Sequence, residues 1–252
     1  MVPAWRASKS WSFEFFAERF GHDEVLPSIT PLHRLAKKVN LRAYLDYLNA
    51  PERGLPGAWV APYLGSEIEP PDFEKSQGRF YLMNWYGFQR HPELLADVAS
   101  QGFYGDWTSG TGAPLARLME RIHEIEYWSI YFGPPGTYTP LHQDFHHTIG
   151  SLAQIVGRKS VTLYSPQDLT RAAPHICEIG PGDLLLIPPD WWHEVLGLEK
   201  SITVSHNFFD RTNAYLRLSE SLRCLPARLA GAIRGSSRSR GISLCHPEPE
   251  LD

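Results

Sequence analysis

The chain has 252 residues, 42% of them apolar and 12% aromatic, enough for one sizeable β-rich domain, and its formal net charge of −4 gives no electrostatic case for a nucleic-acid or anionic-membrane partner. Three scattered cysteines, Cys177, Cys224 and Cys245, make no disulfide framework and suit a reducing compartment. No apolar run reaches the ~18 residues of a membrane span and the N-terminus lacks the apolar centre of a signal peptide, so a cytoplasmic protein without membrane association is the expectation.

Ser12 is placed to cap a first helix and Trp11 to staple onto Phe16, with Phe13, Phe16, Ala17 and Phe20 as the buried stripe and Gly21 as the stop. A second helix begins at Asn40, carries Leu41, Tyr44, Leu45 and Leu48 on one face, and is stopped by Pro51. The stretch from Ala50 to Gln77 is dense in proline and glycine and reads as surface loop. From Arg79 onward short segments rich in β-branched or aromatic residues predict strands. They run Phe80 to Trp85, Tyr127 to Phe132, Thr139 to Phe145, Ser160 to Tyr164, Cys177 to Ile179, Leu184 to Ile187, Glu194 to Leu198 and Ile202 to Phe208. Turns such as Gly180-Pro181-Gly182-Asp183 separate several of them, and the pattern predicts a mainly β fold, the double-stranded β-helix or jelly roll shared by cupins. A further helix is predicted around Leu115, Leu118, Met119 and Ile122.

Beyond Asp210 the pattern turns helical, with Leu218, Leu222, Leu225, Leu229 and Ile233 at spacings of three and four and a kink at Pro226. The tail from Gly235 to Asp252 is rich in Ser, Arg, Pro and Glu and is expected to be disordered. The expected organisation is a barrel domain with N-terminal helices over 1–210, a helical segment over 211–234 and the tail over 235–252.

The strongest chemical signal is His142-Gln143-Asp144, which follows a turn at Gly133-Pro134-Pro135-Gly136, together with His193 at the end of Pro188-Pro189-Asp190-Trp191-Trp192-His193. Residues i and i+2 of a strand share a face, so His142 and Asp144 can offer an imidazole and a carboxylate to one metal, and His193 can close the set from a distant strand. Two histidines and one carboxylate leave coordination positions open, the arrangement of non-haem Fe(II) oxygenases. The competing reading is a cupin barrel whose histidines satisfy hydrogen bonds in the core. Continued alternation would also put His146 on the face of Asp144, but a fourth protein ligand would fill a position that oxygen chemistry needs; His146 fits better as a substrate contact at the barrel mouth.

With these residues in view, the chain from about Trp11 to Phe209 resembles the JmjC family of Fe(II)- and 2-oxoglutarate-dependent oxygenases, in its compact hydroxylase branch. Thr139-Pro140-Leu141-His142-Gln143-Asp144, Gly157-Arg158-Lys159, Leu163-Tyr164-Ser165-Pro166, Pro181-Gly182-Asp183 and Trp191-Trp192-His193 stand where that family has its signatures. The spacing from His142 to Lys159 and the final Ser205-His206-Asn207-Phe208 resemble its lysyl-hydroxylase members. The resemblance implies Fe(II) on His142, Asp144 and His193, with 2-oxoglutarate and O2 as cosubstrates. It also implies that Lys159 holds the 5-carboxylate of 2-oxoglutarate, and that Tyr81, Thr139, Ser205 and Asn207 supply its polar contacts.

Some positions depart from the family. Leu152 stands eight residues after Asp144, where the lysyl-hydroxylase branch has an asparagine, so one polar contact is lost or comes from Thr148 or Ser151. The segment between Pro166 and Asp183 is shorter than in many relatives and implies a more open mouth. The chain starts, at Val2-Pro3-Ala4-Trp5, inside the family's N-terminal region, so the usual first strand is expected to be missing or replaced.

The implied activity is hydroxylation of an unactivated C–H bond, first of a protein or peptide side chain, with a small metabolite or natural-product intermediate as the alternative substrate. From a different class, a catalytically silent cupin that binds a ligand is opposed by the intact triad together with Lys159. The C-terminal leucine stripe is longer than the barrel surface requires, and family members dimerise through such helices, so a homodimer with Leu225 and Leu229 near the contact is expected. An interface of ordinary size buries about 1,600 Å². Light scattering should then give a mass near twice 28.6 kDa, falling on Leu229→Arg; a monomer at micromolar concentration would refute the dimer.

Overall fold

The structure is a computed structural model that describes residues 2–29, 33–35, 38–55, 60–62, 75–83, 85–98, 128–168, 170–210 and 213. After a short helix α1 (Ala7–Ser10), helix α2 (Phe13–Phe20) starts where its cap predicts, the Ser12 hydroxyl oxygen accepting the Phe15 N–H at 3.1 Å. Trp11 closes the staple, its ring edge-to-face with Phe16 at 5.1 Å. Helix α3 (Leu41–Tyr47) is capped in the same way, with Asn40 accepting from the Ala43 N–H at 2.8 Å. A fourth helix, α4, is a single turn at Gly87–Arg90.

Twelve strands follow in chain order among the described residues: β1 (Glu24–Val25), β2 (His33–Leu35), β3 (Val39–Asn40), β4 (Val60–Pro62), β5 (Trp128–Gly133), β6 (Tyr138–His142), β7 (Ile149–Val156), β8 (Lys159–Tyr164), β9 (His175–Ile179), β10 (Leu184–Ile187), β11 (Trp192–Gly197) and β12 (Ser201–Phe208). The first four make two small two-stranded sheets, β1 with β3 and β2 with β4. The other eight form two four-stranded antiparallel sheets, ordered β10-β7-β12-β5 and β6-β11-β8-β9. This is the double-sheet barrel of the cupin jelly roll.

Two apolar clusters sit on opposite faces of the first large sheet. Phe16, Phe20, Leu41, Tyr44 and Leu45 of the helices pack with Ile130, Phe132, Ala153, Ile155, Ile202 and Val204 on its outer face. Leu152, Val161, Leu163, Ile179, Ile187 and Val195 fill the barrel interior. The hydroxyl of Tyr44 pins the two layers together, 2.6 Å from the Phe132 carbonyl and accepting the Leu82 N–H at 3.0 Å. β12 is therefore buried along its whole length.

The chain divides into two compact units. The first comprises 1–100, 126–144 and 149–207 and holds both apolar clusters; the second comprises 101–125, 145–148 and 208–252. Within the second, the 3-10 turn Phe145–His147 is closed by the Thr148 hydroxyl on the Phe145 carbonyl and by the Asn213 amide on the His147 carbonyl.

Several local expectations change. β7 is a strand that periodicity does not predict, and the Ala50 to Gln77 loop contains β4. Phe80 to Trp85 is not a strand but is tied in by isolated bridges, Ser28 to Tyr81 and Leu82 to Phe132. The predicted strand from Thr139 ends at His142. The predicted helix around Leu115, the C-terminal stripe with Leu225 and Leu229, and the tail lie outside the described residues. No helix among the described residues is long and apolar enough to cross a membrane.

Candidate metal centre

Among the described residues β6 is an edge strand, and it carries Pro140, which has no N–H to give to a ladder and is tolerated at an edge or a bulge. Both apply here. His142 pairs with His193 whereas Thr139 pairs with Val195, so three steps along β6 match two along β11. Cross-strand partners share a face. Without the extra residue, Thr139 and His142 would point to opposite sides of the sheet; the bulge turns both inward with His193 and Val195.

His142 and His193 thus meet on the inner face, with ring centroids 4.1 Å apart. Nδ1 of His142 lies 2.8 Å from the Pro140 carbonyl and Nδ1 of His193 lies 3.2 Å from the Trp191 carbonyl. A carbonyl oxygen only accepts, so each ring carries its proton on Nδ1 and presents the Nε2 lone pair. Burial holds His193 below its ordinary pKa, with His142 adding to the effect, and this favours the neutral form that a metal requires.

Asp144 arrives by a different route from the expected alternation. The chain leaves β6 after His142, and Asp144 approaches from the following coil, its Oδ1 3.9 Å from His193 Nε2. Donor atoms of His142, Asp144 and His193 all fall within 4.8 Å of one another, the spacing of groups that can share one ion. Gln143, between the two ligand positions, ties this coil to the loop before β11 by donating to the Asp190 carbonyl at 2.5 Å. The alternation that would have carried His146 to the same face is broken by the 3-10 turn.

Lys159 opens β8, two strands after β6 in chain order, and only 1% of it is exposed. β8 and β11 are paired, with Leu163 opposite His193 and Lys159 opposite Gly197. Lys159 therefore shares the inner face with His193, about 13 Å away along the sheet at ~3.3 Å per residue. Its Nζ donates to the Tyr81 hydroxyl at 2.7 Å and lies 5.9 Å from the Tyr131 ring centre. Among the described residues no carboxylate pairs with it. Burial pushes its pKa down to about 7. A buried ammonium with donors to spare and no counter-ion is costly to maintain, and an anionic ligand removes the cost.

The structure thus brings together His142, Asp144 and His193 at one end of the inner face, and Lys159 with Tyr81 further along it. Thr139 is half-buried on β6, turned inward opposite Val195. Ser205 and Asn207 are buried on β12, on the face of Thr203, whose hydroxyl donates to Gln154 inside the barrel at 2.9 Å. Leu152 lies in the interior apolar cluster. Of the two alternative sources of that polar contact, Ser151 donates to the His206 carbonyl and Thr148 to that of Phe145.

Comparison with known proteins agrees with this geometry. The model for the cupin-like domain matches residues 168–214, the part that carries His193. The chain is 24% identical to the 2-oxoglutarate and iron-dependent oxygenase JMJD4 of Gallus gallus over 245 residues, covering 83% of this chain and 53% of that protein. It is 36% identical to lysine-specific demethylase 8 of Danio rerio over 161 residues, covering 52% of this chain and 36% of that one. With lysine-specific demethylase JMJ30 of Arabidopsis thaliana it shares 33% over 112 residues, covering 32% of this chain and 26% of the other. The chain is thus similar to cupin-like JmjC proteins, among them 2-oxoglutarate- and iron-dependent oxygenases. It spans about half, or less, of the length of these curated relatives.

One residue behind the triad is not marked by the metal-ligand pattern. Gly150 on β7 faces Asp144, and a Cβ built there would overlap the carboxylate Oδ2. The signal in the sequence is a glycine inside a mostly apolar run, which marks a close approach. Gly150→Ala is expected to displace Asp144 and weaken divalent-metal binding at least tenfold, the scale seen when a group behind a metal ligand is lost. Calorimetric titration with Co(II) checks this; affinity equal to the unmodified protein would show that Asp144 has room to spare.

Proposed function

We propose that the protein is an Fe(II)- and 2-oxoglutarate-dependent oxygenase that hydroxylates a side chain of a protein or peptide. The observation that carries this reading is the pairing, on one barrel face, of a two-histidine, one-carboxylate set with a buried lysine that has no counter-ion among the described residues. The residues fit the groups they would hold. His142, Asp144 and His193 would bind iron through Nε2, a carboxylate oxygen and Nε2, leaving positions open on the remaining side. Lys159 and the Tyr81 hydroxyl would hold the far carboxylate of 2-oxoglutarate, with Thr139, Ser205 and Asn207 as further polar contacts.

When bound, the iron and its cosubstrate supply the oxidising chemistry, in which 2-oxoglutarate and O2 yield succinate and carbon dioxide and a C–H bond of the substrate becomes C–OH. The chain contributes orientation. The Pro140 and Trp191 carbonyls fix the imidazole tautomers, Gly150 leaves space for the Asp144 carboxylate, and Val161, Leu163 and Val195 give the inner face between Lys159 and the triad an apolar lining. Two of the relatives are named as lysine-specific demethylases, which supports a protein side chain as the substrate class.

Succinate formation from 2-oxoglutarate, measured with and without Fe(II), tests the reaction class directly; no iron-dependent turnover with any substrate would overturn it. Peptides rather than small metabolites are expected to stimulate it. Asp144→Ala should abolish turnover while leaving the thermal transition in place, and full activity at saturating Fe(II) would remove the carboxylate from the ligand set.

Lys159→Ala should raise the Michaelis constant for 2-oxoglutarate about tenfold or more, the value of a charge-assisted hydrogen bond. A pH dependence follows as well. The depressed pKa of about 7 leaves much of the lysine neutral above that pH, and binding a carboxylate then requires proton uptake. Affinity for 2-oxoglutarate should therefore fall as pH rises beyond 7, by at most about tenfold per pH unit. Calorimetry across pH 6.5–9 reads it, and a profile that Lys159→Ala leaves unchanged would assign the dependence to another group.

A further inference from the structure

On the outer face of the β6–β11 pair, Tyr138 stands opposite Leu196, yet its hydroxyl donates diagonally to the Glu194 carboxylate at 2.5 Å. Lys75 completes the group. Its Nζ donates to the Tyr138 hydroxyl at 3.0 Å, lies 3.4 Å from the same Glu194 oxygen and sits 4.9 Å from the Tyr138 ring centre. Tyr138 is 5% exposed. The position of Glu194 gives the cluster meaning: it lies between His193 and Val195, the two residues between which the register shifts.

A bulge leaves one residue of its strand without a ladder partner, and a strand pair with such a break is free to slip unless something else sets the register. Among the described residues β6 is also an edge strand, and Pro140 removes one of its N–H donors. A slip of one residue would turn His142 or Thr139 to the outer face. The link from Tyr138 to Glu194 crosses the shift, joining a residue of β6 before the bulge to the residue of β11 inside it. An open groove of about 380 Å³, lined by Lys75, Gln77, Ser160, Thr162, Glu194 and Leu196, lies over the group, so shortening Glu194 creates no sealed cavity.

We propose that Tyr138, Glu194 and Lys75 form an outer-face clamp that sets the β6–β11 register and so positions His142 against His193. The proposal rests on the reading of His142, Asp144 and His193 as a metal site. The three residues touch neither metal nor substrate; they act through the strands.

The test is metal binding, independent of turnover. Co(II) is titrated into the metal-free protein and followed by visible absorption, for the unmodified chain, Tyr138→Phe, Glu194→Ala, Glu194→Gln and Asp144→Ala. Tyr138→Phe and Glu194→Ala should each bind Co(II) about tenfold more weakly, at the low end of what outer partners of ligands contribute, and with an altered absorption band. Glu194→Gln should bind nearly as the unmodified chain does, because its amide oxygen still accepts the phenol hydrogen. A lowered thermal transition with unchanged Co(II) affinity and spectrum in Tyr138→Phe and Glu194→Ala would make the cluster merely structural and overturn the clamp alone. If the unmodified chain binds no Co(II), or Asp144→Ala binds it equally well, the metal reading falls and the clamp with it.

Discussion

The pairing of β6 with β11 decides the rest of the site, because it sets two histidines from distant parts of the chain opposite each other on the inner face of the barrel. A strand has only two sides, and a one-residue change of register exchanges them. The bulge at Pro140 is the device that lets Thr139 and His142, an odd number of residues apart, occupy the same side. Proline suits this place for a reason visible in its chemistry: it has no amide hydrogen to waste at a break in the ladder, and its carbonyl is used instead to orient the His142 ring.

The second constraint is electrostatic. Lys159 is buried beside Tyr81 and Tyr131, two rings that offer a hydroxyl and π-faces but no formal charge. Such an arrangement costs folding energy until an anion arrives, and the depressed pKa expresses that cost. The lysine and the metal triad are joined through β8 and β11, so β11, which aligns the histidines through β6, also sets their distance from the cation through β8. The helical layer has an equally definite part. α2 and α3 cover the outer face of the β10-β7-β12-β5 sheet, and Tyr44 holds the Leu82 segment, next to Tyr81, against β5.

Much of this was legible in the residues. The helix caps at Ser12 and Asn40, the Trp11 staple and most of the barrel strands followed from local chemistry. β7 did not. Its Ile149–Val156 run is buried at every position but its ends, because one face meets the helices and the other lines the barrel, so the alternation that betrays a half-buried strand is absent. The Phe80 segment failed in the opposite sense. Its aromatic residues are those of a strand, but they serve a bridge and a buried tyrosine rather than a full ladder.

Residue identity and spacing pointed to His142, Asp144 and His193 as a set that could share a metal, since imidazole and carboxylate side chains carry the donor atoms required, while the anion-holding role of Lys159 came from the family resemblance. What the tertiary structure decided was how they meet. Asp144 reaches the site from a coil and not along a strand, kept in place by the missing side chain of Gly150, and the inward face of Thr139 depends on a bulge that no periodicity announces. The physical reason is range: caps, turns and donor chemistry are properties of a few neighbouring residues, whereas register, bulges and the approach of β7 to Asp144 arise only between segments far apart in the chain.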